Sequence, residues 1–344
     1  MEIKRRVAAV FWGVAVSFAV IPAVAAAEQV GEVIYREGQP SVIRGGRQLE
    51  DQISAGFRLY NLDHVRNDSL SLLQFNLNAV SGTAGSVTVQ PASELYLAFD
   101  NARQKAVVHL LRGSSSVVVE RLQRGQSLQV HAADAVLEVR GTSFSIDTSV
   151  QGEYLVATVS GRVDVQNASG DVITALPGRA VEYTVTNGFR SIPLRQGDEE
   201  VGRAVWREQR HAVLMSQADA VMSNLARRYL VARDEFLELY SDLVEQQEII
   251  DRWIEEDRQG TRSSMAEQMQ QKTALSDPLT RVASHSLLFE PLYYRVAALR
   301  ELLGDEEYSG NEFDRDAKYV QKRLDMLRYI TRLYADRNDG QLPL

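Results

Sequence analysis

Residues 135–146 read Ala-Val-Leu-Glu-Val-Arg-Gly-Thr-Ser-Phe-Ser-Ile. Apolar and polar residues alternate on both sides of the central glycine, with the apolar positions at Leu137, Val139, Phe144 and Ile146. Alternation with a period of two is typical of a strand that has one face on a core and the other in water. Gly141 tolerates the positive φ of a tight bend, and the Thr142 hydroxyl can hydrogen-bond nearby backbone. The stretch therefore predicts two strands joined by a sharp bend, which is a structural role.

The same alternation extends outward through the N-terminal half of the chain. It recurs at Leu73, Phe75 and Leu77; at Leu95, Leu97 and Phe99; at Val117 and Val119; at Leu128 and Val130; and at Leu155, Ala157 and Val159. Of the 22 glycines, 17 lie between Gly31 and Gly202. No apolar helical run between Val30 and Val185 is long enough for a βαβ crossover, which excludes the doubly wound nucleotide-binding folds. We therefore predict an all-β region over residues 28–198.

The C-terminal part, residues 199–344, has a different pattern. Residues 203–259 contain neither Gly nor Pro, and their apolar positions are spaced by three and four. This spacing predicts a long amphipathic or coiled-coil helix. We expect Asp277-Pro278 to start a second helical region and a last helix to follow Gly310. The short connections predict a helical hairpin or bundle with one protruding arm.

The composition excludes several classes of site. The 344 residues carry a formal net charge of -8 and include no cysteine. Disulfide scaffolds, thiolate zinc sites, iron–sulfur clusters, cysteine nucleophiles and an N-terminal lipid-modified cysteine are therefore excluded. The acidic balance argues against a nucleic-acid partner, which requires a basic surface.

The N-terminus has the pattern of a secretory signal peptide. Three basic residues, Lys4-Arg5-Arg6, precede the uncharged run Val7–Ala27, which ends in three alanines. We predict cleavage after residue 27 and a periplasmic location in a bacterium. The alternative is an uncleaved inner-membrane anchor, because 21 helical residues span about 32 Å.

The sequence gives little indication of reaction chemistry. The five histidines, His64, His109, His131, His211 and His285, show no local metal-ligand spacing. We interpret His109 and His131 as strand residues with local partners, and Gly113–Ser116 as a turn rather than a nucleophile elbow. Residues 305–316 have the oxygen spacing of a calcium loop, but a solvated acidic connection between helices is the favoured interpretation. We predict no catalytic, cofactor or metal residues.

Several spaced motifs resemble the periplasmic domain of the FecR family over residues 30–190. They are Gly31-Glu-Val33, Gly85-Ser86-Val87, Pro91-Ala-Ser93, Val139-Arg140-Gly141-Thr142-Ser-Phe144 and Val159-Ser-Gly161-Arg-Val163. The resemblance implies a solenoid-like or sandwich-like β fold, and the helical C-terminal half lies outside it. Regulators of this family carry a cytoplasmic anti-sigma segment before their membrane helix. Only six residues precede Val7 here, so we expect a different role.

The sequence supports three functional hypotheses. The first is a non-enzymatic periplasmic module that binds a protein partner in the envelope by β-augmentation or helix pairing, with a homo-oligomer through the long helix as a variant. The second is an envelope sensor, tethered to the membrane only if Val7–Ala27 stays uncleaved. The third is a hydrolase of envelope polymers, with carboxylates converging between the two parts of the chain.

N-terminal sequencing of the exported protein separates the first two hypotheses. We expect the mature chain to begin at Glu28, because the small-residue end Ala25–Ala27 fits signal peptidase cleavage. A mature chain that still begins at Met1 would instead establish the tethered form.

Overall fold

A computed structural model describes residues 29–77, 83–100, 103, 105–122, 127–304 and 312–343 of the chain. The predicted signal segment 1–27 lies outside these residues, as do positions 305–311 of the acidic loop. Among the described residues, no helix combines the length and apolarity that crossing a membrane requires.

The described N-terminal region consists of two nine-stranded sheets. In spatial order, sheet A contains β18 (Gly188–Pro193), β17 (Arg179–Thr184), β14 (Tyr154–Ser160), β13 (Ser143–Thr148), β10 (Ser114–Leu122), β7 (Thr83–Val89), β6 (Leu72–Leu77), β1 (Gln29–Glu37) and β4 (Arg58–Tyr60). Sheet B contains β16 (Val172–Ala175), β15 (Val163–Gln166), β12 (Ala135–Val139), β11 (Ser127–Ala132), β9 (Lys105–Arg112), β8 (Glu94–Asp100), β5 (His64–Arg66), β2 (Ser41–Arg44) and β3 (Arg47–Leu49). The all-β region predicted from the sequence is confirmed.

The two sheets face each other and enclose one apolar core. From β6 onward the chain places two consecutive strands in one sheet and then crosses to the other, apart from the single strand β10. The residues predicted to alternate inward fill this core, among them Phe75, Phe99, Phe144 and Val165. Both sheets are open, with β18 and β4 at the edges of sheet A and β16 and β3 at the edges of sheet B.

The helical region has five described helices. They are α1 (Glu199–Ser216), α2 (Ala218–Val244), α3 (Gln247–Gln259), α4 (Met265–Leu303) and α5 (Glu312–Ala335). The single long helix expected over 203–259 is wrong, because it is interrupted at Gln217 and again at residues 245–246. Each described helix buries side chains against its neighbours, so the described residues form no protruding arm.

The start predicted for the second helical region at Asp277-Pro278 is also wrong. Helix α4 begins at Met265 and runs for 39 residues through both Pro278 and Pro291. Its true start is a capping box, in which the Ser264 hydroxyl accepts from the Glu267 N–H and the Glu267 carboxylate accepts from the Ser264 N–H. The cap and the packing of the helix outweigh the hydrogen bond that each proline removes.

The helices share a core with the outer face of sheet B. One buried cluster contains the apolar residues of α2 to α5 together with five residues of the β region: Leu62, Tyr96, Ala98, Val107 and Leu111. Helix α1 contributes to two clusters: its Trp206 packs on Leu155 and Ala180 at the outer face of sheet A, whereas its Leu214 belongs to the cluster of the other helices. The division into separate domains at residue 198 therefore stays a prediction, since the apolar core is continuous across it.

Two adjacent residues of α4 test this packing. Phe289 is 0% exposed and Leu288 is 79% exposed. We expect Phe289→Ala to lower the free energy of unfolding by about 3–5 kcal/mol, the usual cost of truncating a buried phenylalanine. Leu288→Ala should change it by less than about 0.5 kcal/mol. Urea denaturation of both variants measures the difference, and equal effects would contradict the described orientation of α4.

Candidate functional site

The FecR-like motif lies where the chain crosses from sheet B to sheet A. Val139 ends β12 and Phe144 lies in β13, and both side chains are in the core between the sheets. Gly141 has a φ of +60° at the bend between them. Arg140 is exposed and lies 4.0 Å from the Glu138 carboxylate. The motif thus occupies a crossover and presents only one charged side chain to solvent.

Thr142 differs from the expectation in its hydrogen bonding. Its carbonyl accepts the Val119 N–H at 2.8 Å, but its buried hydroxyl has no partner among the described residues. The side chain instead packs closely on Gly161, where an added Cβ would lie 2.6 Å from the Thr142 Cγ2 and from the Gly141 carbonyl. Glycine at both positions 141 and 161 therefore allows the crossover to close.

A buried charge cluster joins sheet B to the helices, and Glu94 of β8 is at its centre. Its Oε2 lies 3.0 Å from His64 Nε2 and accepts from Arg66 Nε at 3.1 Å, while its Oε1 accepts from Arg112 Nε at 3.0 Å. Burial alone would raise the pKa of Glu94, but His64 and the two arginines lower it to about 2. Glu94 is therefore ionised, and both of its carboxylate oxygens have partners.

His64 is neutral at pH 7 although it contacts a carboxylate. Burial and the nearby Arg328 charge lower its pKa to about 4, against the opposing effect of Glu94. Its Nδ1 lies 3.5 Å from Arg328 Nη1, and a guanidinium only donates. The tautomer compatible with both neighbours therefore carries its proton on Nε2, on the side of the Glu94 carboxylate.

The helices complete the cluster through Arg328 of α5. Its guanidinium donates to Asp325 Oδ1 at 2.8 Å and to the Tyr294 hydroxyl at 3.1 Å, and it lies 3.3 Å from Glu290 Oε1. Burial raises the pKa of Glu290 to about 7, which the Arg328 charge opposes. Glu290 and Tyr294 both belong to α4, so Arg328 connects α5, α4 and sheet B.

A second buried carboxylate holds α1 against sheet A. Asp147 of β13 is 0% exposed and accepts from Arg203 Nε at 2.6 Å, Arg207 Nη1 at 2.7 Å and Ser114 Oγ at 2.6 Å. These hydrogen bonds explain why two arginines occur in the first turns of an otherwise amphipathic helix. Ser114 belongs to the serine run predicted to form a turn; only Gly113 forms the turn, with a φ of +86°.

The structure brings together two histidines that are 22 positions apart in the sequence. Strands β9 and β11 pair in parallel with His109 opposite His131, and their ring centroids are 4.9 Å apart. His131 Nε2 lies 3.2 Å from its local partner Gln129 Oε1, whereas His109 stacks on Tyr96 at 4.3 Å. No group of three metal-ligating side chains occurs among the residues that the structure describes.

The carboxylates between sheet B and the helices do not form an accessible pair for hydrolysis. Glu94 and Glu290 are 3% and 2% exposed, and each is paired with arginine. A glycosidase pair must reach a substrate and a water molecule. These ion pairs stabilise the contact between the β region and the helices. A polymeric substrate cannot reach the buried Glu94 and Glu290 carboxylates.

The depressed pKa of His64 predicts loss of stability in acid. Between pH 6.5 and about 4 the unfolded chain takes up a proton that the folded chain excludes, so the free energy of unfolding falls as the pH is lowered through this window. The His64 contribution is at most about 3 kcal/mol. In His64→Gln the decline should be shallower, whereas the exposed His211→Gln should match the wild type. Urea denaturation across this pH range would contradict the assignment if both variants declined equally.

Comparison with known proteins finds a family match within the β region. Residues 79–164 match the family described as FecR protein. Two solved structures, each described as a putative anti-sigma factor from Parabacteroides distasonis, are similar to part of the chain. Both are 17% identical, with TM-scores of 0.34 and 0.30, and they cover 40% and 38% of this chain.

The chain spans 62% and 63% of the length of these two structures. None of the curated proteins matches it. The family match contains the crossover motif at residues 139–144 and excludes the helices after residue 198. Residues 79–164 of the β region are therefore similar to the FecR family.

Proposed function

We propose that the protein is a non-enzymatic, exported FecR-like module that binds a protein partner of the cell envelope by β-augmentation. The partner segment adds to the open edge of sheet A at β18. The observation that supports this most directly is the character of that edge compared with the other three.

Strand β18 is the longest of the four edge strands in the described sheets. It has six residues, compared with four in β16 and three each in β3 and β4. Its one charged residue, Arg190, is engaged by Glu182 of the neighbouring strand at 2.7 Å. Short length and free charge are devices that protect edges from pairing. Strand β18 lacks both from Gly188 to Ile192, and its proline, a third such device, occupies only its last position, Pro193. It is therefore the edge best suited to accept another strand.

The register shows which backbone groups of β18 are open. The Leu194 N–H donates to the Gly178 carbonyl. Because hydrogen-bonded pairs alternate along an antiparallel ladder, the backbone of Arg190 points toward β17, and that of Phe189 and Ser191 points away from it. Among the described residues, none outside β17 hydrogen-bonds to the backbone of Phe189 or Ser191. These two residues would pair with the incoming strand.

The helices support binding through the edge rather than through helix pairing. The apolar faces of α2 to α5 are buried with sheet B inside one chain, so they are not available for a coiled coil with a partner or a second copy.

A membrane-tethered envelope sensor is the second candidate function. The uncharged run Val7–Ala27 after three basic residues favours it, because a retained segment of this length can span a bilayer. In that case the β18 edge would bind the partner protein in response to the signal. N-terminal sequencing of the exported protein separates the cleaved form from the tethered form.

Site-specific photo-crosslinking in cells tests the binding edge. We expect a cross-linking residue at position 189 to form a discrete adduct with an envelope protein, and the same residue at Gln48 of edge strand β3 to form none. Adding Ser191→Pro to the position-189 protein should abolish the adduct, because proline removes an outward N–H and leaves the ladder with β17 intact. Adducts that persist with Ser191→Pro, or that form equally at position 48, would overturn the proposal.

A further inference from the structure

A cavity of about 320 Å³ lies between the outer face of sheet B and helix α4. This volume is at the lower end of the range for small-molecule sites. Its walls come from β8, β9, β11, the turn after β11 and one turn of α4, and they include Tyr96, His109, His131, Asp134, Leu287 and Glu290. The cavity is separate from the β18 edge, so a ligand in it is independent of the proposed binding of a protein partner.

Three aromatic rings in a row form the floor of the cavity. Tyr96, His109 and His131 occupy matching positions on the adjacent strands β8, β9 and β11. Burial lowers the pKa of His131 to about 4, and it lowers the pKa of His109 as well. Both imidazoles are therefore uncharged at neutral pH and do not repel a cation.

Glu290 in the wall formed by α4 has an unused acceptor. It is 2% exposed, and its Oε1 lies near Arg328, but its buried Oε2 has no hydrogen-bond partner among the described residues. A buried polar atom without a partner costs free energy, and in a native structure it points to an occupant that supplies the missing donor.

The same turn of α4 carries a second acceptor. Pro291 has no N–H, so the Leu287 carbonyl lacks the donor that an α-helix would supply from position i+4. Both residues line the cavity. Glu290 lies between them in sequence, so two acceptors arise within one helical turn at the cavity wall.

The charge of the lining selects the kind of ligand. The carboxylates of Asp134 and Glu290 line the cavity, and the residues described as lining it include no Lys or Arg. The Arg328 guanidinium beside Glu290 is occupied by Asp325, Tyr294 and Glu290. The occupant must therefore donate hydrogen bonds, tolerate negative neighbours and contact aromatic and aliphatic surface.

We propose that this cavity binds a small organic amine, with its ammonium group on Glu290 Oε2 and the Leu287 carbonyl and its apolar body over the rings of Tyr96, His109 and His131. Ammonium groups bind favourably to carboxylates and over aromatic faces. An anion would meet the acidic groups of Asp134 and Glu290 and no Lys or Arg among the residues described as lining the cavity, and an alcohol would supply a single donor for two acceptors.

Titration calorimetry of the full exported chain with three shape-matched probes tests the chemistry. We expect phenethylamine to bind at millimolar concentration or below and to raise the melting temperature. Phenethyl alcohol should bind at least about tenfold more weakly, and 3-phenylpropanoate should not bind. Absence of phenethylamine binding, or equal binding of the carboxylate, would overturn the proposal.

Two variants place the binding in this cavity. Glu290→Gln should weaken phenethylamine binding by at least about tenfold, whereas Glu301→Gln, an exposed carboxylate on the same helix that pairs with Arg112, should leave it unchanged. Ala168→Phe should block binding by filling the cavity from the turn between β15 and β16, with circular dichroism confirming the fold. This second variant keeps the test decisive if Glu290→Gln does not fold. Unchanged affinity in a folded Glu290→Gln or Ala168→Phe variant would overturn the assignment.

Discussion

Sheet B has two apolar faces, and neither can be left in water. One face packs on sheet A and the other on the helices. A sheet in an ordinary sandwich is solvated on its outer side, but strand β8 is buried along its whole length from Glu94 to Asp100. The helical region is therefore a third layer, and the buried ion cluster around Glu94 and Arg328 fixes where it lies. Burying Glu94 and Arg328 is tolerable because each lies within ion-pair distance of oppositely charged side chains.

The sequence could predict the strands and the class of fold because one face of each strand always meets the inner core. The alternation around Gly141 and the FecR-like motifs depend on that face alone. The second buried face is also visible, as nearly continuous apolar runs at residues 95–99 and 106–111. Continuous apolar runs are typical of strands covered on both sides. They indicate packing of the helices on the sheet, in place of the protruding arm that helix spacing alone predicts.

The helix boundaries and the candidate sites are harder to predict for different physical reasons. Pro278 is usually a start signal, but the Ser264 capping box lies 14 residues earlier in the sequence. His109 and His131 meet because β9 and β11 pair in parallel while β10 lies in the other sheet. No local pattern encodes that pairing. The sequence does not indicate Glu290 as a site residue for the same reason, because its neighbours come from α5 and sheet B.

The order of the layers along the chain determines when the outer face of sheet B is covered during synthesis. Residues that cover the outer face of sheet B follow the β region in the sequence, and Arg328, which links α5 to both α4 and His64, lies in the last described helix. During synthesis, a sandwich that folds before the helices are made exposes the apolar outer face of sheet B to water. A nascent chain interrupted before α5 would keep that face exposed and would be readily recognised by chaperones and proteases. The outer face of sheet B is therefore fully covered only after residues 312–335 have been synthesised.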